Sequence, residues 1–346
     1  MTTDEDVHGQ PSAWEAAWEV LAPVTDMITP MAVRVAATLR LADHLDGEAV
    51  AVEELARRSG ADADALARLL RHLITRGLFA EPEPGRFAVN EAAALLASDH
   101  PAGMRGQLDL DGFGGRMDLA FTGLLHSVRT GQPAWETVYG VPCWQYLAAN
   151  PEISAAFDAM MAQGDDYLAD AVAGYDWSKA RHVVDVGGGS GSLLAELLRA
   201  HPGLHGTLVD LPDTAERGRR HLAGRDLGDR FGVAGQSFFD PLPVGGDTYV
   251  LRRVVHDWDD ADAVRILRRC AEAAGPQGRV VVIDTPGGSG DDPGMFAEMN
   301  LRMLVISGGR ERAAGAYAAL CAAAGLKVAE VRHTPLGHVI LDCVPR

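Results

Sequence analysis

The run Val183-Val184-Asp185-Val186-Gly187-Gly188-Gly189-Ser190-Gly191 constrains this chain more than any other. A short β-branched segment carries an acid, breaks into glycines and opens into Ser192-Leu193-Leu194-Ala195-Glu196-Leu197-Leu198. Strand, tight loop and helix in that order hold a ligand against bare backbone. Glycine has no side chain to block close approach and tolerates positive φ. The helix start adds free N–H groups. The next strand-like run, Gly206-Thr207-Leu208-Val209, ends at Asp210. A carboxylate there accepts both hydroxyls of a ribose and excludes a 2′-phosphate. The expected ligand is a nucleoside-containing cofactor.

The glycine spacing separates the candidates. A dinucleotide fingerprint reads G-x-G-x-x-G, and Gly187, Gly189 and Ser192 nearly fit it, with serine in the third place. A P-loop needs G-x-x-x-x-G-K-[ST], and no lysine follows Gly191. The form D-V-G-G-G-S-G resembles the first motif of class I methyltransferases, which bind S-adenosylmethionine (SAM).

The whole chain narrows the field. At 346 residues it is expected to hold two domains and to bury a large core. A formal net charge of -17 disfavours nucleic acid, whose binders are normally basic. Cys143, Cys270, Cys321 and Cys343 form no C-x-x-C pair and read as small buried hydrophobes in a reducing cytosol. The start, with Asp4, Glu5 and Asp6, has no basic or apolar signal region. No apolar run is read as approaching the ~20 residues of a membrane span. The expectation is a cytoplasmic protein with no membrane and no nucleic acid as partner. No Cys/His cluster has ligand spacing, so no metal is expected.

Along the chain, residues 1–10 are polar and read as disordered. From Trp14 to Leu45 apolar residues recur at helical spacing, with Pro23 and Pro30 expected to divide the region. A helix begins at Val52, Ser59-Gly60 turns, and Asp62 or Asp64 caps a helix through Leu66, Leu69, Leu70 and Leu73 that Gly77 ends. Leu78–Ala80 and Arg86–Val89, around Pro82, Pro84 and Gly85, read as a hairpin. Helix, turn, helix and wing make a winged helix. With Asp62 and Asp64 among its arginines, dimerisation is favoured over DNA contact. From Leu95 to Gly174 the pattern is helical, broken near Gly112–Gly115 and at Gln132-Pro133. Then strand-like runs at 183–186, 206–210, 231–234, 248–255 and 279–284 alternate with helices, which predicts an α/β parallel sheet. Lys327–His333 and His338–Val344 close it with an antiparallel hairpin. The expected divisions are a winged-helix-like domain at 12–100, pocket-forming helices at 101–175 and a cofactor-binding catalytic domain at 176–346.

The strand Thr248–Val255 is expected to end in His256-Asp257-Trp258-Asp259-Asp260. Ligands of open α/β sheets sit beyond the carboxyl ends of the strands. His256, Asp284 at the fifth strand end and Glu311 in Gly308-Gly309-Arg310-Glu311-Arg312 therefore share a rim with the glycine loop. An imidazole titrates near ~6.5, and a carboxylate on one ring nitrogen leaves the other basic. That suits proton removal from a phenol, whose pKa is about 10. Asp257 and Asp259 also read as helix caps. Trp135, Tyr139, Trp144, Tyr146, Phe113 and Phe121 fit either an aromatic pocket wall or packing core.

Together these residues resemble one family, the SAM-dependent O-methyltransferases of plant phenylpropanoid and bacterial polyketide or antibiotic pathways. Its marks are the 184–191 loop, Val209-Asp210-Leu211-Pro212, Ser237-Phe238-Phe239-Asp240-Pro241-Leu242-Pro243, Leu251–Trp258 and Gly308–Arg312. The resemblance implies a Rossmann-like class I methyltransferase sheet, an N-terminal winged-helix dimerisation domain, a homodimer and a small aromatic acceptor. It implies that Gly187 contacts the methionine part of SAM, Asp210 the ribose, and Ser237 and Phe238 the adenine. Arg252 would lie near the adenine and Met161 near the cofactor. His256 would be the base, Asp284 and Glu311 its bracketing acids, and Asn300 and Met303 the acceptor's neighbours. Three departures stand out: Gln236-Ser237 where Asp is common, Ala313 for a usual threonine, and Asp284 for a longer glutamate. Relatives that keep the fold yet hydroxylate or decarboxylate polyketides leave a second chemistry open, and a SAM-sensing regulator a third.

Overall fold

A computed structural model describes residues 13–45, 47–161, 165–284 and 293–346. The polar stretch 1–10 lies outside them. The chain divides into two compact units, one ending at Gly115 and one beginning at Arg116.

The first unit starts with α1 (Ala13–Leu21) and α2 (Ile28–Thr38). By length and composition Trp14–Thr38 could cross a membrane, which corrects the expectation that no run comes near that length. The helix is not continuous. A 3-10 turn at Ala22–Val24 and non-helical residues at 25–27 interrupt it, and Asp26 Oδ1 accepts from Ile28 N (2.8 Å) and Thr29 N (3.2 Å). Such a break has no backbone partners in hydrocarbon. Pro23 sits in that interruption, but Pro30 does not divide the region. It lies in the first turn of α2, where a missing N–H costs nothing. Next come β1 (Val50–Ala51), α3 (Val52–Ser59), α4 (Ala63–Ile74), β2 (Ala80–Glu83) and β3 (Arg86–Ala88). Asp62 caps α4 by accepting from Ala65 N, and the strands form a sheet in the order β1-β3-β2. Leu55, Leu66, Leu70, Leu73 and Phe87 fill the core beneath. Trp14, Trp18, Val24, Met27 and Ile28 stay exposed on this unit.

The glycines at 112–115 do not all break helix as expected. A helix runs Phe113–Ala120, and Gly114 and Gly115 lie inside it. A Cβ at either would strike the backbone of Gln107 or Asp109, so close packing, not a turn, requires them.

The second unit begins with short helices, including α5 (Trp135–Tyr139), α6 (Cys143–Ala149), α7 (Pro151–Met161) and α8 (Asp165–Ala173). Strands and helices then alternate: β4 (His182–Val186), α9 (Ser192–Ala200), β5 (His205–Asp210), α10 (Pro212–Ala223) and β6 (Phe231–Gly235). They continue with β7 (Thr248–Arg252), α11 (Asp260–Ala274) and β8 (Arg279–Asp284). The chain finishes with α12 (Pro293–Ser307), α13 (Ala314–Ala323), β9 (Leu326–His333) and β10 (Val339–Pro345). The seven-stranded sheet runs β6-β5-β4-β7-β8-β10-β9. Its first five strands are parallel, and β10 is antiparallel to both neighbours.

Side-chain alternation explains why both faces are covered. Val184, Val186, Tyr249, Leu251, Val280 and Val282 face Ile266, Leu267, Tyr317 and Leu320 of α11 and α13. Val183, Leu208, Val250, Val281 and Ile283 face Leu193, Leu194, Leu197 and Leu198 of α9. Strand order reverses between β4 and β7, so the loops after them diverge and open a crevice.

Candidate active site

The glycine loop leaves β4 at the crevice. Gly187, Gly189 and Gly191 all take positive φ (70°, 58° and 78°). A Cβ on Gly187 would lie 2.8 Å from Val254 and 3.3 Å from Phe238, whereas one on Gly189 would meet nothing within 4 Å. The loop is thus pressed onto the β7 turn on one side and open on the other. Asp210 closes β5 beside it. Its Oδ2 accepts from Gly189 N (2.9 Å) and its Oδ1 from Leu211 N (2.7 Å). Burial raises Asp210 to about 6, and those two N–H donors oppose the rise.

The carboxylate of Asp185 is buried, and no side chain hydrogen-bonds to it; the backbone N–H of Leu194 is the group that supports its charge. Burial raises Asp185 to about 7, with Arg252 pulling the other way. Arg252 Nε is buried without a partner. Burial and Arg253 lower the Arg252 pKa, against Asp185 and Asp284. Buried polar atoms are normally satisfied. A buried acid with no side-chain partner, near a guanidinium nitrogen with none, suits a zwitterionic group such as the amino-acid end of SAM. With the Asp210 carboxylate and the open glycine face, the residues present fit that cofactor. The signal for Asp185 was there to read: an acid inside an apolar strand costs free energy unless it meets a partner.

The expected strand to Val255 stops at Arg252. Arg253 takes φ 54°, a left-handed conformation unusual away from glycine, and donates to Ile283 O (3.0 Å). Val255–Asp257 then forms a 3-10 turn that carries His256 into the crevice. Strain of this kind clusters at functional sites.

His256 is buried, and its Nδ1 lies 2.8 Å from Glu311 Oε1. Asp284 Oδ1 is 3.8 Å from Nδ1, beyond hydrogen-bond reach, as its short side chain suggested. Asp257, read as a cap, instead places Oδ1 3.4 Å from Nε2. Asp259 is the cap of α11, accepting from Asp262 N (2.8 Å). Burial alone would lower the proton affinity of His256; the carboxylates of Asp284, Asp257 and Glu311 outweigh it and raise the pKa to about 10. Burial raises Asp257 to about 6, against the pull of His256. Beneath them, burial and the Asp284 and Glu311 charges push the Tyr317 phenol up. Ligand-type atoms of His256, Asp284 and Glu311 lie within 4.8 Å of one another, a grouping invisible in the spacing.

Glu311 is held from three sides. Asn300 Oδ1 on α12 accepts from Glu311 N (3.0 Å), so this expected acceptor neighbour also fixes the acid. Arg310 N donates to His256 O (2.8 Å), and a Cβ on Gly309 would collide with that same backbone. Arg312, unassigned from sequence, is 3% exposed. It donates to Val255 O (3.0 Å), Trp258 O (2.7 Å) and Asp260 Oδ1 (2.8 Å), stapling the Glu311 loop to the His256 turn.

Trp258 carries the aromatic boundary. It stacks on Trp144 of α6 (5.9 Å, 22°) and meets Phe239 (4.8 Å) and Phe238 (5.8 Å) edge-on. Trp135, Tyr139 and Tyr146 form a separate cluster, with Trp135 fully buried as core. Met303 is buried on α12, Met161 ends α7 half-buried, and Ser237 Oγ accepts from Phe239 N (3.2 Å).

Comparison with known proteins identifies the family. The family model of the O-methyltransferase domain matches residues 121–327, and that of the O-methyltransferase dimerisation domain residues 24–99. The chain is 48% identical over 310 residues (89% of this chain, 92% of the relative) to 2,7-dihydroxy-5-methyl-1-naphthoate 7-O-methyltransferase of Streptomyces carzinostaticus. It is 45% identical over 312 residues (89% and 83%) to aclacinomycin 10-hydroxylase RdmB of Streptomyces purpurascens. Among solved structures, the O-methyltransferase NcsB1 of neocarzinostatin biosynthesis, in complex with SAM and 2-hydroxy-5-methyl naphthoic acid, superposes with a TM-score of 0.87. It shares 46% identity and covers 94% of this chain and 98% of its own.

Proposed function

Because the chain belongs to the SAM-dependent O-methyltransferase family, we propose that it methylates a phenolic hydroxyl of a fused-ring aromatic secondary metabolite of the hydroxynaphthoate kind. One observation carries the reading: a buried imidazole, 2.8 Å from Glu311, shares a rim with the glycine loop and Asp210. Glu311 Oε1 accepts a hydrogen bond from Nδ1–H, which turns Nε2, with Asp257 3.4 Å away, towards the acceptor hydroxyl. The surrounding carboxylates raise His256 to about 10, matching the acidity of a phenol at about 10. Once the imidazolium has released its own proton to solvent, transfer of the phenolic proton to the neutral Nε2 is close to balanced, and that release becomes easier as pH rises. General-base help of this kind is worth roughly 10²–10⁴ in rate. SAM, when bound, supplies a methyl group on a cationic sulfur.

Gly187, Asp210, Ser237, Phe238, Arg252 and Met161 hold the cofactor in this reading, with Asp185 facing its amino-acid end. Asn300 and Met303 line the acceptor side. Residues 12–100 dimerise, 101–175 shape the pocket, and 176–346 bind SAM and catalyse. The protein is a homodimer whose exposed Trp14, Trp18 and Met27 suit a dimerisation surface. We place it in the cytoplasm, where its four unpaired cysteines stay reduced.

Methyl-labelled SAM and a panel of hydroxynaphthoates test the reading. Labelled methyl ether is expected, and His256→Ala retains cofactor binding but loses transfer. The likeness to a hydroxylase gives a second reading. Product without label but with added oxygen would establish it, and no transfer to any phenol would end the first.

A further inference from the structure

Helix α10 follows directly from Asp210, and it lies on the glycine loop. A Cβ on Gly218 would strike Leu208 and come within 3.0 Å of Gly189 O, and one on Gly191 would sit 3.2 Å from Leu222. One turn of this helix carries Arg217, which is mostly buried. Its Nε donates to Asp158 Oδ2 (2.7 Å), and its Nη2 to Thr214 Oγ1 (3.0 Å) and to Ser154 Oγ. Ser154 and Asp158 belong to α7, whose last residue is Met161. Their side of α7 is therefore tied to the helix that backs the ribose acid. Neither residue takes part in the base cluster described above.

We infer that Arg217 is a positioning residue for the cofactor: its pair with Asp158 and Ser154 fixes α7 against the glycine-loop helix, and its guanidinium is a cation whose charge acts on Asp210. The inference rests on the assignment of Asp210 to the ribose. The charges facing Asp210 are Asp158 from α7, Arg217 from its own following helix, and Asp185 from β4, with the Gly189 and Leu211 N–H groups as direct donors. Removing the one cation from that set leaves three acids together. Asp210 then holds a proton to higher pH, and a protonated acid accepts only poorly from ribose hydroxyls. Geometry and charge thus act in the same direction, on cofactor affinity and not on the base.

The test compares wild type, Arg217→Gln, Arg217→Lys and Asp158→Asn in full-length dimer. S-adenosylhomocysteine affinity is measured by calorimetry at pH 6 and pH 8, and KM for SAM and kcat with a hydroxynaphthoate. Arg217→Gln is expected to weaken affinity and raise KM at least tenfold, with kcat at saturating SAM within twofold. The loss is larger at pH 6 than at pH 8, and Arg217→Lys recovers part of it. Asp158→Asn loosens the tie to α7 but also takes one acid away from Asp210, so KM rises a few-fold with a loss smaller at pH 6 than at pH 8; it carries the test alone if Arg217→Gln does not fold. Unchanged affinity in a folded variant, a fall in kcat without a rise in KM, or a loss indifferent to pH would overturn the inference. Wild type that fails to bind the ligand would instead overturn the cofactor reading itself.

Discussion

Replacing Glu311 by Gln tests the proposed base most directly. The substitution keeps the side-chain shape and the Asn300 contact to the backbone N–H, and removes only the charge 2.8 Å from His256 Nδ1. A hydrogen bond to a charged group contributes about 1.5–3 kcal/mol. At ~1.36 kcal/mol per pK unit, that lowers the His256 pKa by about one to two units. Two effects of opposite appearance follow. The plateau value of kcat falls, by roughly 10–150-fold if the whole bond is realised in the transition state. At the same time the acid limb of the pH–rate profile moves to lower pH, because the imidazolium gives up its proton more readily. In wild type His256 is raised to about 10, so the rate climbs with pH across the neutral range. Transfer of labelled methyl would be followed from about pH 5.5 to about pH 11, which spans the ordinary imidazole pKa of ~6.5 and the raised one of about 10. A plateau within threefold of wild type together with an unmoved limb would show that Glu311 does not act on His256. A slower plateau without movement of the limb would point to lost geometry and not to lost basicity.

Other perturbations reach the supports of the site. Arg312→Ala strips the Arg312 donor from Trp258 O and leaves Val255 O only the long bond from Trp258 N (3.4 Å); an unmet buried group costs about 1–3 kcal/mol, so the melting temperature and kcat should both drop, and an unchanged melt would refute the staple. Gly218→Ala forces a methyl into Leu208 and towards Gly189 O, an overpacking of about 1–3 kcal/mol that should also weaken S-adenosylhomocysteine binding in calorimetry. Asp185 and Asp210 are raised to about 7 and about 6, so the folded chain holds protons that the unfolded chain has released. Their contribution is complete below about pH 4 and is lost as pH rises through 6 to 7. Thermal melts without cofactor should therefore fall between pH 5 and pH 8 (a window set roughly by those two groups), and Asp185→Asn should flatten the slope; a parallel slope would exclude Asp185 as its source.

Local periodicity and turn chemistry determined a large share of this protein from sequence alone. A β-branched run followed by glycines can hardly be anything but a strand meeting a ligand loop. The winged helix, the parallel sheet with its closing hairpin, and the placing of Asp210 at a strand end and of His256 shortly beyond one all follow from patterns a few residues long. What periodicity does not carry is the choice of partners across the fold. Glu311 and His256 are 55 residues apart, and Arg217 and Asp158 are 59 apart. Asp257 looks like a helix cap by spacing, and only the 3-10 turn after Arg253 aims it at Nε2. Pro30 reads as a breaker until its place in the first turn of α2 is known, and Gly114 and Gly115 until the backbone packed against them is seen. Sequence fixes which groups are available and which local shapes they favour. Proton affinities and pairings depend on burial and on distances between distant segments, and those exist only once the chain has closed on itself.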